Sequence, residues 1–259
     1  MLTERPFVFS SDVFHCENEG MARRRWIADE WADGVAALVG AQAIHLARVL
    51  RAEPGMRCDM VAGAQVWSAV VMAVHEERVE FRLECELPAE RALPLTLLLA
   101  IFKFDRLEWA IEKATELGVE RIVPVVARRT EKHLAQAAAV RAERWRRIAH
   151  EAAKQSRRSD VCLVENPRPL KLALGEPWSG TRLLLAENER TVMLRNAMAG
   201  WDGESAITLA VGPEGGWASE EFEIFAGSGW RPASLGPRIL RAETAAIAGT
   251  AIVASALQG

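Results

Sequence analysis

The sequence lacks the long apolar segments that mark exported and membrane-spanning proteins. Its first 25 residues contain no apolar stretch of the kind found in secretory signals. The longest apolar stretch, residues 244–257, has 14 residues, whereas a helix needs roughly 20 to cross a bilayer. We therefore predict a buried helix over this stretch, no membrane partner, and a protein of the cytoplasm.

Cysteine is also scarce, and the four cysteines are far apart in the chain, at Cys16, Cys58, Cys85 and Cys162. No two of them form a CxxC pair, and no histidine stands near them at the spacing of zinc ligands. We therefore expect no metal site and thiols that stay reduced in the cytoplasm.

The glycine and serine motifs of several large enzyme classes are absent. No GxGxxG follows a first strand, and no glycine-rich loop ends in Gly-Lys-Ser/Thr. This disfavours Rossmann-type dinucleotide binding and P-loop phosphate binding. No GxSxG is present to supply the nucleophile of a serine hydrolase. Charge distribution and loop composition are therefore the main indicators of function.

Positive charge is concentrated in two places, although the net charge of the 259-residue chain is −3. The window 128–158 holds ten basic and three acidic residues, which leaves a net charge of −10 on the rest of the chain. A second cluster is Arg23-Arg24-Arg25, and arginine supplies 27 of the 32 basic residues. Because planar guanidinium groups suit phosphates and stacked bases, we favour contact with nucleic acid over a merely solvated basic face.

The pattern of hydrophobic residues changes near residue 88. The first part predicts short strands and one helix, typical of a small β-barrel. Residues 88–94 are predicted to form a linker, and after them strands alternate with amphipathic helices, which predicts an α/β domain with a mainly parallel sheet. The predicted strands are 6–9, 56–62, 65–74, 78–86, 95–101, 121–125, 161–164, 182–186, 207–211 and 232–235. The predicted helices are 41–51, 106–117, 138–155, 192–199, 219–226 and 242–257.

Three loops in the last third of the chain have the composition of a ligand site. They follow predicted strands at 186–189, 212–217 and 235–245, and ligands of parallel sheets bind at the carboxyl ends of the strands. The adjacent glycines of the second loop let the backbone approach a ligand closely. An ordinary turn before a helix capped by Ser219 would contain them as well, so the loop alone leaves both interpretations open.

The third loop concentrates charge just before a predicted helix that carries almost none. Arg238, Arg241, Glu243 and Thr244 lie within seven positions. Such a cluster at the start of a buried helix meets either a substrate or a partner charge. A structural salt bridge between Arg241 and Glu243 is the alternative to a functional role.

Two strings in these loops carry a specific resemblance. VGPEGGWASEEFE and LGPRILRAETAAI resemble the RsmE family of 16S rRNA uracil-N3 methyltransferases, within the SPOUT superfamily. The similar segments of the whole chain are 45–56, 103–130, 145–158, 211–223 and 235–247. The resemblance implies a PUA-like RNA-binding β-barrel at 1–87 and a SPOUT α/β domain with a deep trefoil knot at 95–259.

The resemblance also implies a homodimer that uses S-adenosylmethionine and acts on 16S rRNA of the small ribosomal subunit. Backbone and apolar groups would dominate the donor pocket, as an adenine ring requires. Its residues would be Leu185, Ala186, Glu187, Gly212, Gly215, Gly216, Leu235, Gly236, Ile239, Leu240, Arg241, Thr244 and Ala245. We place the RNA contacts at Arg23, Arg24, Arg25, His45, Arg48, Arg51, Lys103, Arg129 and Arg158.

Methylation of uracil at N3 requires that an imide proton leave. Arginine stays protonated and cannot take it, but Arg241 or Arg238 could stabilise the negative charge that develops on the uracil oxygens. Glu243 is the nearest carboxylate for proton removal, with water or a residue of another chain as alternatives. Two competing interpretations stay open: a SPOUT enzyme for another RNA base, and an RNA-binding assembly factor without catalysis. Lys154 and Cys162 depart from the family pattern and leave only the contacts of the second α/β helix in doubt.

Overall fold

The computed structural model describes residues 25–63, 65–88, 92–156, 158–199 and 201–258. The predicted strand 6–9, Arg23, Arg24 and Cys16 lie outside the described residues. The chain divides into two units, residues 1–89 and 90–259. The division falls within the segment predicted as a linker.

The first unit contains six described strands: β1 (Arg25–Ile27), β2 (Glu30–Ala32), β3 (Val35–Val39), β4 (Arg57–Ala62), β5 (Gln65–Val74) and β6 (Arg78–Leu87). They form one sheet in the order β1-β4-β5-β6-β3-β2, antiparallel except for the β1–β4 pair. Leu38, Met60 and Phe81 are fully buried in its core. Between the described residues of β1 and β2 no pairing closes the sheet into a ring.

The helical segment between β3 and β4 differs from its prediction. The sequence predicts one helix over 41–51, but the structure has α1 (Ala41–Ile44) followed by one π-helical turn (His45–Val49). The segment cannot continue because Arg51 adopts a left-handed backbone with φ +51°.

The second unit is an α/β domain, as predicted. Its strands are β7 (Leu93–Ala100), β8 (Val119–Val126), β9 (Leu163–Val164), β10 (Arg168–Pro169), β11 (Thr181–Leu185), β12 (Ile207–Val211) and β13 (Arg231–Ala233). Its helices are α2 (Phe104–Glu116), α3 (Lys132–Gln155), α4 (Leu170–Leu174), α5 (Leu194–Ala197), α6 (Ser219–Gly227) and α7 (Ala242–Gln258). The strands are parallel in the order β10-β8-β7-β12-β11-β13, and β9 also pairs with β8.

The strand order explains where a ligand site can form. After β11 the chain returns to the middle of the sheet, because β12 lies between β7 and β11. The carboxyl ends of β12, β11 and β13 are therefore neighbours at one edge of the sheet. Crevices of this kind are the usual binding sites of open parallel sheets.

Both faces of the parallel sheet are covered, which is why its strands are apolar at nearly every position. Leu97 and Leu99 belong to a core with α2, α3 and α7, whereas Leu98 and Ala100 belong to a core with α4 and α6. Full burial of each leucine stabilises the fold by roughly 1.5–3 kcal/mol.

The long helix α3 begins at Lys132 rather than at residue 138. Leu134 extends its buried stripe toward the amino terminus, beyond the predicted start of the helix. Trp145, Ala149 and Ala152 of this stripe are buried. The stripe packs largely on α2, where the ring centroids of Phe104 and Trp145 lie 6.0 Å apart.

The last helix, α7, is the predicted buried helix, and it lies close to the sheet at Gly249. A Cβ atom there would stand 3.0 Å from Leu185 Cδ1 and 3.1 Å from Leu209 Cδ2, so a larger residue would push the helix outward. Within the described ranges, no helix is long and apolar enough to cross a membrane.

Helix α6 begins differently from its prediction. The cap residue is Ala218 rather than Ser219. The buried Glu221 carboxylate accepts a hydrogen bond from the Ala218 N–H at 2.8 Å and one from the Arg128 N–H at 2.7 Å. Glu221 thereby joins the start of α6 to the loop after β8, and a favourable interaction of its negative charge with the helix dipole adds to this.

Candidate active site

A cavity in the second unit lies at the carboxyl ends of β11, β12 and β13 and has a volume of about 580 Å³. All three loops singled out in the sequence contribute to its wall. The lining residues are Arg129, Leu185, Ala186, Glu187, Asn188, Arg190, Met193, Val211, Gly212, Pro213, Glu214, Gly216, Trp217, Phe222, Ala233, Ser234, Leu235, Gly236, Pro237, Arg238, Ile239, Leu240, Ala242 and Ala245. We call this cavity the loop pocket.

The loop after β11 is fixed by Glu189. Its carboxylate accepts hydrogen bonds from the Thr191 hydroxyl at 2.6 Å, the Thr191 N–H at 2.7 Å and the Val192 N–H at 3.0 Å. These bonds, led by the one from the Thr191 hydroxyl, lower the pKa of Glu189 to about 2. The ordered turn carries Arg190 and Met193 at the pocket wall.

The loop after β12 is held by a turn and by a buried indole. Gly216 donates its N–H to the Pro213 carbonyl at 2.8 Å and has a φ of +67°, a conformation that glycine adopts without strain. Trp217 is buried, and its Nε1–H donates to the Leu185 carbonyl at 3.2 Å. The indole therefore ties the loop after β12 to the end of β11.

The loop after β13 is attached to the β11 loop through Ser234. The Ser234 N–H donates to the Val192 carbonyl, and the Leu194 N–H donates to the Ser234 carbonyl, both at 2.8 Å. The Ser234 hydroxyl accepts from the Gly236 N–H at 3.1 Å, and Gly236 has a φ of +121°. The backbone of all three loops is thus fixed by hydrogen bonds.

The wall is mostly apolar, but charged side chains also line the pocket. Glu187, Arg190 and Arg238 are exposed and make no ion pair or hydrogen bond through their side chains with any described residue. Arg129, predicted as an RNA contact, also lines the pocket and donates from Nη1 to the Gly215 carbonyl at 2.6 Å.

Ten of the thirteen predicted donor-binding residues line the loop pocket. The exceptions are Gly215, Arg241 and Thr244. The Gly215 carbonyl is already bonded to Arg129, and Arg241 and Thr244 are exposed outside the wall. Phe222, the first apolar residue of α6 at the pocket, was not predicted, although its position so soon after the glycines was a usable signal. Arg190, Met193 and Ser234 lie outside the three predicted loops and were not predicted either.

The three predicted catalytic residues occupy different surroundings. Arg238 lines the pocket, and Arg241 is exposed beside it in sequence but not in the wall. Glu243 is buried and pairs with Arg106 of α2, with Nη1 and Oε1 3.6 Å apart. The alternative of a structural salt bridge between Arg241 and Glu243 is wrong, because Glu243 points into the protein toward α2 and pairs with Arg106 instead.

Arg158 is a correction to the predicted RNA contacts. Its side chain is 8% exposed, and Nη1 donates to the carbonyls of Thr115 and Val119 at 2.7 and 2.9 Å. Nε and Nη2 face the Asp160 carboxylate. Every nitrogen of this guanidinium bonds a protein acceptor and the side chain is almost fully buried, so Arg158 has a structural role here.

The other predicted RNA contacts are more accessible. Lys103, His45 and Arg51 are exposed. Arg48 is exposed but pairs with Glu76, and Arg25 pairs with Asp59 at 3.8 Å. None of these positions is excluded as an RNA contact by burial.

The basic window 128–158 is more fully paired than its composition indicates. Arg141 and Arg144 both approach Glu108, at 3.6 and 2.7 Å. Arg146 donates to the Val164 carbonyl and to Asn166. Several of these arginines are therefore engaged by protein acceptors.

The cysteines depart in part from expectation. Cys58 and Cys162 are buried thiols, and burial raises the pKa of Cys162 to about 12. Cys85 takes part in a disulfide bond, which the prediction of reduced thiols did not anticipate. Among the described residues, no group of three or more His, Cys, Asp or Glu side chains is arranged to hold a metal ion.

The fold and the pocket together define a class of protein. A parallel α/β domain whose strand ends and loops enclose a mostly apolar cavity with a few polar groups is typical of an enzyme domain that binds a small organic ligand. The cavity lacks the glycine-rich phosphate loops of nucleotide-binding folds, so the ligand would be held by apolar contacts and backbone groups.

Comparisons with known proteins specify the class further. Residues 89–254 match the family described as RNA methyltransferase domain. The ribosomal RNA small subunit methyltransferase E of Synechocystis is 34% identical over 234 residues, which cover 87% of this chain and 75% of that protein. The Bacillus subtilis protein of the same name is 29% identical, with coverage of 81% and 85%.

Two solved structures are similar over nearly the whole chain. A ribosomal RNA small subunit methyltransferase E from Neisseria gonorrhoeae, bound to S-adenosyl methionine, has a TM-score of 0.77, 29% identity, and coverage of 90% and 98%. A Legionella pneumophila methyltransferase in complex with the same cofactor has a TM-score of 0.74, 28% identity, and coverage of 92% and 98%. The chain belongs to the RNA methyltransferase domain family and, within it, to the ribosomal RNA small subunit methyltransferases E, as the resemblance to RsmE predicts.

Proposed function

We propose that this chain methylates N3 of a specific uridine in 16S rRNA of the small ribosomal subunit, with S-adenosylmethionine as the methyl donor. The observation that carries the proposal is the loop pocket, because much of its wall comes from the two loop strings that resemble the RsmE family. Similar proteins from two bacteria are described with S-adenosylmethionine bound, which supports the choice of donor.

The loop pocket fits the donor in size and chemistry. Its volume of about 580 Å³ lies within the range of roughly 300–1,000 Å³ usual for small-molecule sites. Leu235, Ile239 and Leu240 offer apolar contacts for a flat adenine ring. The Glu187 carboxylate, exposed at the pocket and unpaired among the described residues, is an acceptor for ribose hydroxyl groups.

When bound, S-adenosylmethionine supplies an electrophilic methyl group. The residues of the chain have to hold the uracil in line with that group, exclude water and stabilise the charge left when the N3 proton departs. Arg238 suits the last task because its guanidinium stays protonated and lines the pocket. Arg241 remains the second candidate for the same role.

The acceptor of the N3 proton is assigned to water rather than to Glu243. Glu243 is buried against Arg106 and does not line the pocket. A general base must come within hydrogen-bond reach of the proton that it takes, directly or through one water. Glu243 would then act through the residues that it supports.

The RNA would be bound by both units. We propose that the first unit is a PUA-like RNA-binding domain, supported by its curved-strand pairing pattern with register shifts between Ser68 and Ala69 and between Val71 and Ala73. Exposed Arg51 and Lys103 are available for phosphate contacts. Unstacking the target uridine costs a few kcal/mol, which phosphate contacts would offset.

We further propose that the second unit carries the deep trefoil knot of SPOUT proteins. After β13 the chain bonds through Ser234 to Val192 and Leu194, at the start of α5, and then continues as α7 against the central strands β7 and β12. A return of the last segment to the sheet centre next to an earlier loop supports the proposal. We also propose that the protein works in the cytoplasm as a homodimer, since its substrate would be part of the ribosome.

The decisive experiment incubates purified protein and labelled S-adenosylmethionine with small ribosomal subunits from cells that lack the enzyme, and maps the label by mass spectrometry. We expect one labelled uridine, methylated at N3. The variants Arg238→Ala and Arg241→Ala distinguish the two candidate arginines. Loss of the arginine that stabilises the charge should lower the methylation rate by about 10²-fold or more, while the donor still binds.

Each other outcome contradicts a defined part of the proposal. Label on a different base would support the methyltransferase activity but contradict uridine N3 as the target. Donor binding without label on either free rRNA or assembled subunits would contradict the rRNA substrate. Failure to bind the donor would favour an RNA-binding assembly factor without catalysis.

A further inference from the structure

We infer that Arg106 is a positioning residue for the donor site, because it bridges the loop after β12 and the start of α7. The inference rests on the proposed function. Arg106 lies in the first turn of α2 and does not line the loop pocket. Its action would therefore be through Glu214 and Glu243.

A single nitrogen of Arg106 serves both carboxylates. Nη1 lies 3.2 Å from Glu214 Oε1, in a hydrogen bond, and 3.6 Å from Glu243 Oε1. Glu214 lines the pocket within the string GPEGG, and Glu243 lies in the first turn of α7. Three segments that are far apart in the sequence thus meet at one guanidinium.

Both bridged segments contribute residues to the pocket wall. Glu214 belongs to the same loop as Gly212 and Trp217, whereas α7 brings Ala242 and Ala245 to the wall directly after Leu240. A change at Arg106 would release the loop and the helix from their common support at the same time. The expected result is a pocket of the same composition but with a less fixed shape, which weakens donor binding.

Burial makes the bridge more than a surface ion pair. The Glu243 side chain is 6% exposed, and its second oxygen, Oε2, has no hydrogen-bond partner among the described residues. Arg106 is therefore the one described cation that compensates this buried carboxylate. Arg106 and Glu214 are each about one third exposed, so the bond between them can respond to substitution without opening the core.

The test measures the affinity for S-adenosylmethionine by titration calorimetry and the steady-state constants for rRNA methylation. Glu214→Gln removes one charge and leaves the Arg106–Glu243 pair intact. Arg106→Gln removes both contacts, and Arg106→Gln with Glu243→Gln also removes the buried charge, so that a folded variant is available if Arg106→Gln does not fold. Arg144→Gln is the matched control, since Arg144 forms a comparable pair with Glu108 away from the pocket.

We expect Glu214→Gln and folded Arg106 variants to weaken donor binding by about tenfold, with a raised KM for the donor and a kcat within about threefold of wild type. Combining Glu214→Gln with Arg106→Gln should add little to the larger single effect, because both remove the same bond. Arg106→Lys should recover part of the affinity. Arg144→Gln should bind the donor as wild type does.

The inference fails if folded Arg106 and Glu214 variants bind the donor like wild type, or if their effects on affinity are fully additive. It also fails if they change thermal stability alone. Wild-type protein that neither binds the donor nor methylates rRNA would instead contradict the proposed function, so the two failures can be distinguished.

Discussion

Arg158 gives the sharpest test of the difference between sequence pattern and structure. Its position in a basic window predicts an RNA contact, whereas its hydrogen bonds to Thr115 and Val119 predict a contribution to stability. Thr115 lies in the last turn of α2, where its carbonyl also accepts from the Gly118 N–H at 3.0 Å. A cation at this end of the helix interacts favourably with the helix dipole. The substitution Arg158→Met keeps an unbranched apolar stem and removes every donor.

The expected loss follows from the groups left without a partner. Hydrogen bonds to a charged group contribute about 1.5–3 kcal/mol each, and removal of one member of a buried ion pair costs about 3–5 kcal/mol. Asp160 is 29% exposed and can recover hydration, which favours the lower end of this range. We therefore expect a loss of about 3 kcal/mol, and hence a Tm lower by about 6–12 °C for a unit of this size.

Thermal unfolding followed by circular dichroism measures the loss, and filter binding to small-subunit rRNA measures the affinity. Arg147→Met is the matched control, because Arg147 is exposed and makes no hydrogen bond or ion pair with a described residue. Its stability should stay within about 0.5 kcal/mol of wild type. If Arg158→Met melts like wild type but binds rRNA more weakly, the structural interpretation of Arg158 is refuted.

Three further predictions concern the pocket and its surroundings. Gly212→Ala should weaken donor binding by about tenfold in calorimetry, because the new Cβ would stand 3.1 Å from the Trp217 ring, whereas Gly227→Ala, with open space around it, should not. Cys162 should resist alkylation at pH 8 in the native protein and react only after unfolding, since its pKa of about 12 leaves almost no thiolate; mass spectrometry reports the modification. Glu189 should titrate near pH 2 when followed by NMR. Because its pKa in the folded protein lies below the ordinary value of 4.5, its contribution to stability is present above pH 4.5 and is lost as the pH falls toward 2. A titration midpoint near 4.5 would contradict the described turn.

Elements with strong local patterns were predictable. The strands β5 and β12 match their predicted bounds because alternating or continuous apolar runs end at clear turn signals. The short pieces Arg168–Pro169 and Leu170–Leu174 were missed, since two- and five-residue elements have too little periodicity to be recognised. The π-helical turn after α1 was missed because its residues read as ordinary helix formers.

The residues that form the site were more predictable than the contacts between their side chains. Loops that follow parallel strands must meet at one edge, so the sequence could bring Glu187, Gly212 and Leu235 together without a structure. The pairing of Glu243 with Arg106 could not be predicted, because the two residues are distant in sequence and only the packing of α7 on α2 brings them together. The prediction of Arg158 as an RNA contact fails for the same reason, since a count of charges does not show which arginines form hydrogen bonds within the protein.

A crystal structure of the protein with S-adenosylmethionine tests the central claim most directly. We expect donor density in the loop pocket, between the loops after β11, β12 and β13, with the adenine against Leu240 or its apolar neighbours. Density at any other place, or a protein that saturating donor leaves unbound in the crystal and in calorimetry, would contradict it.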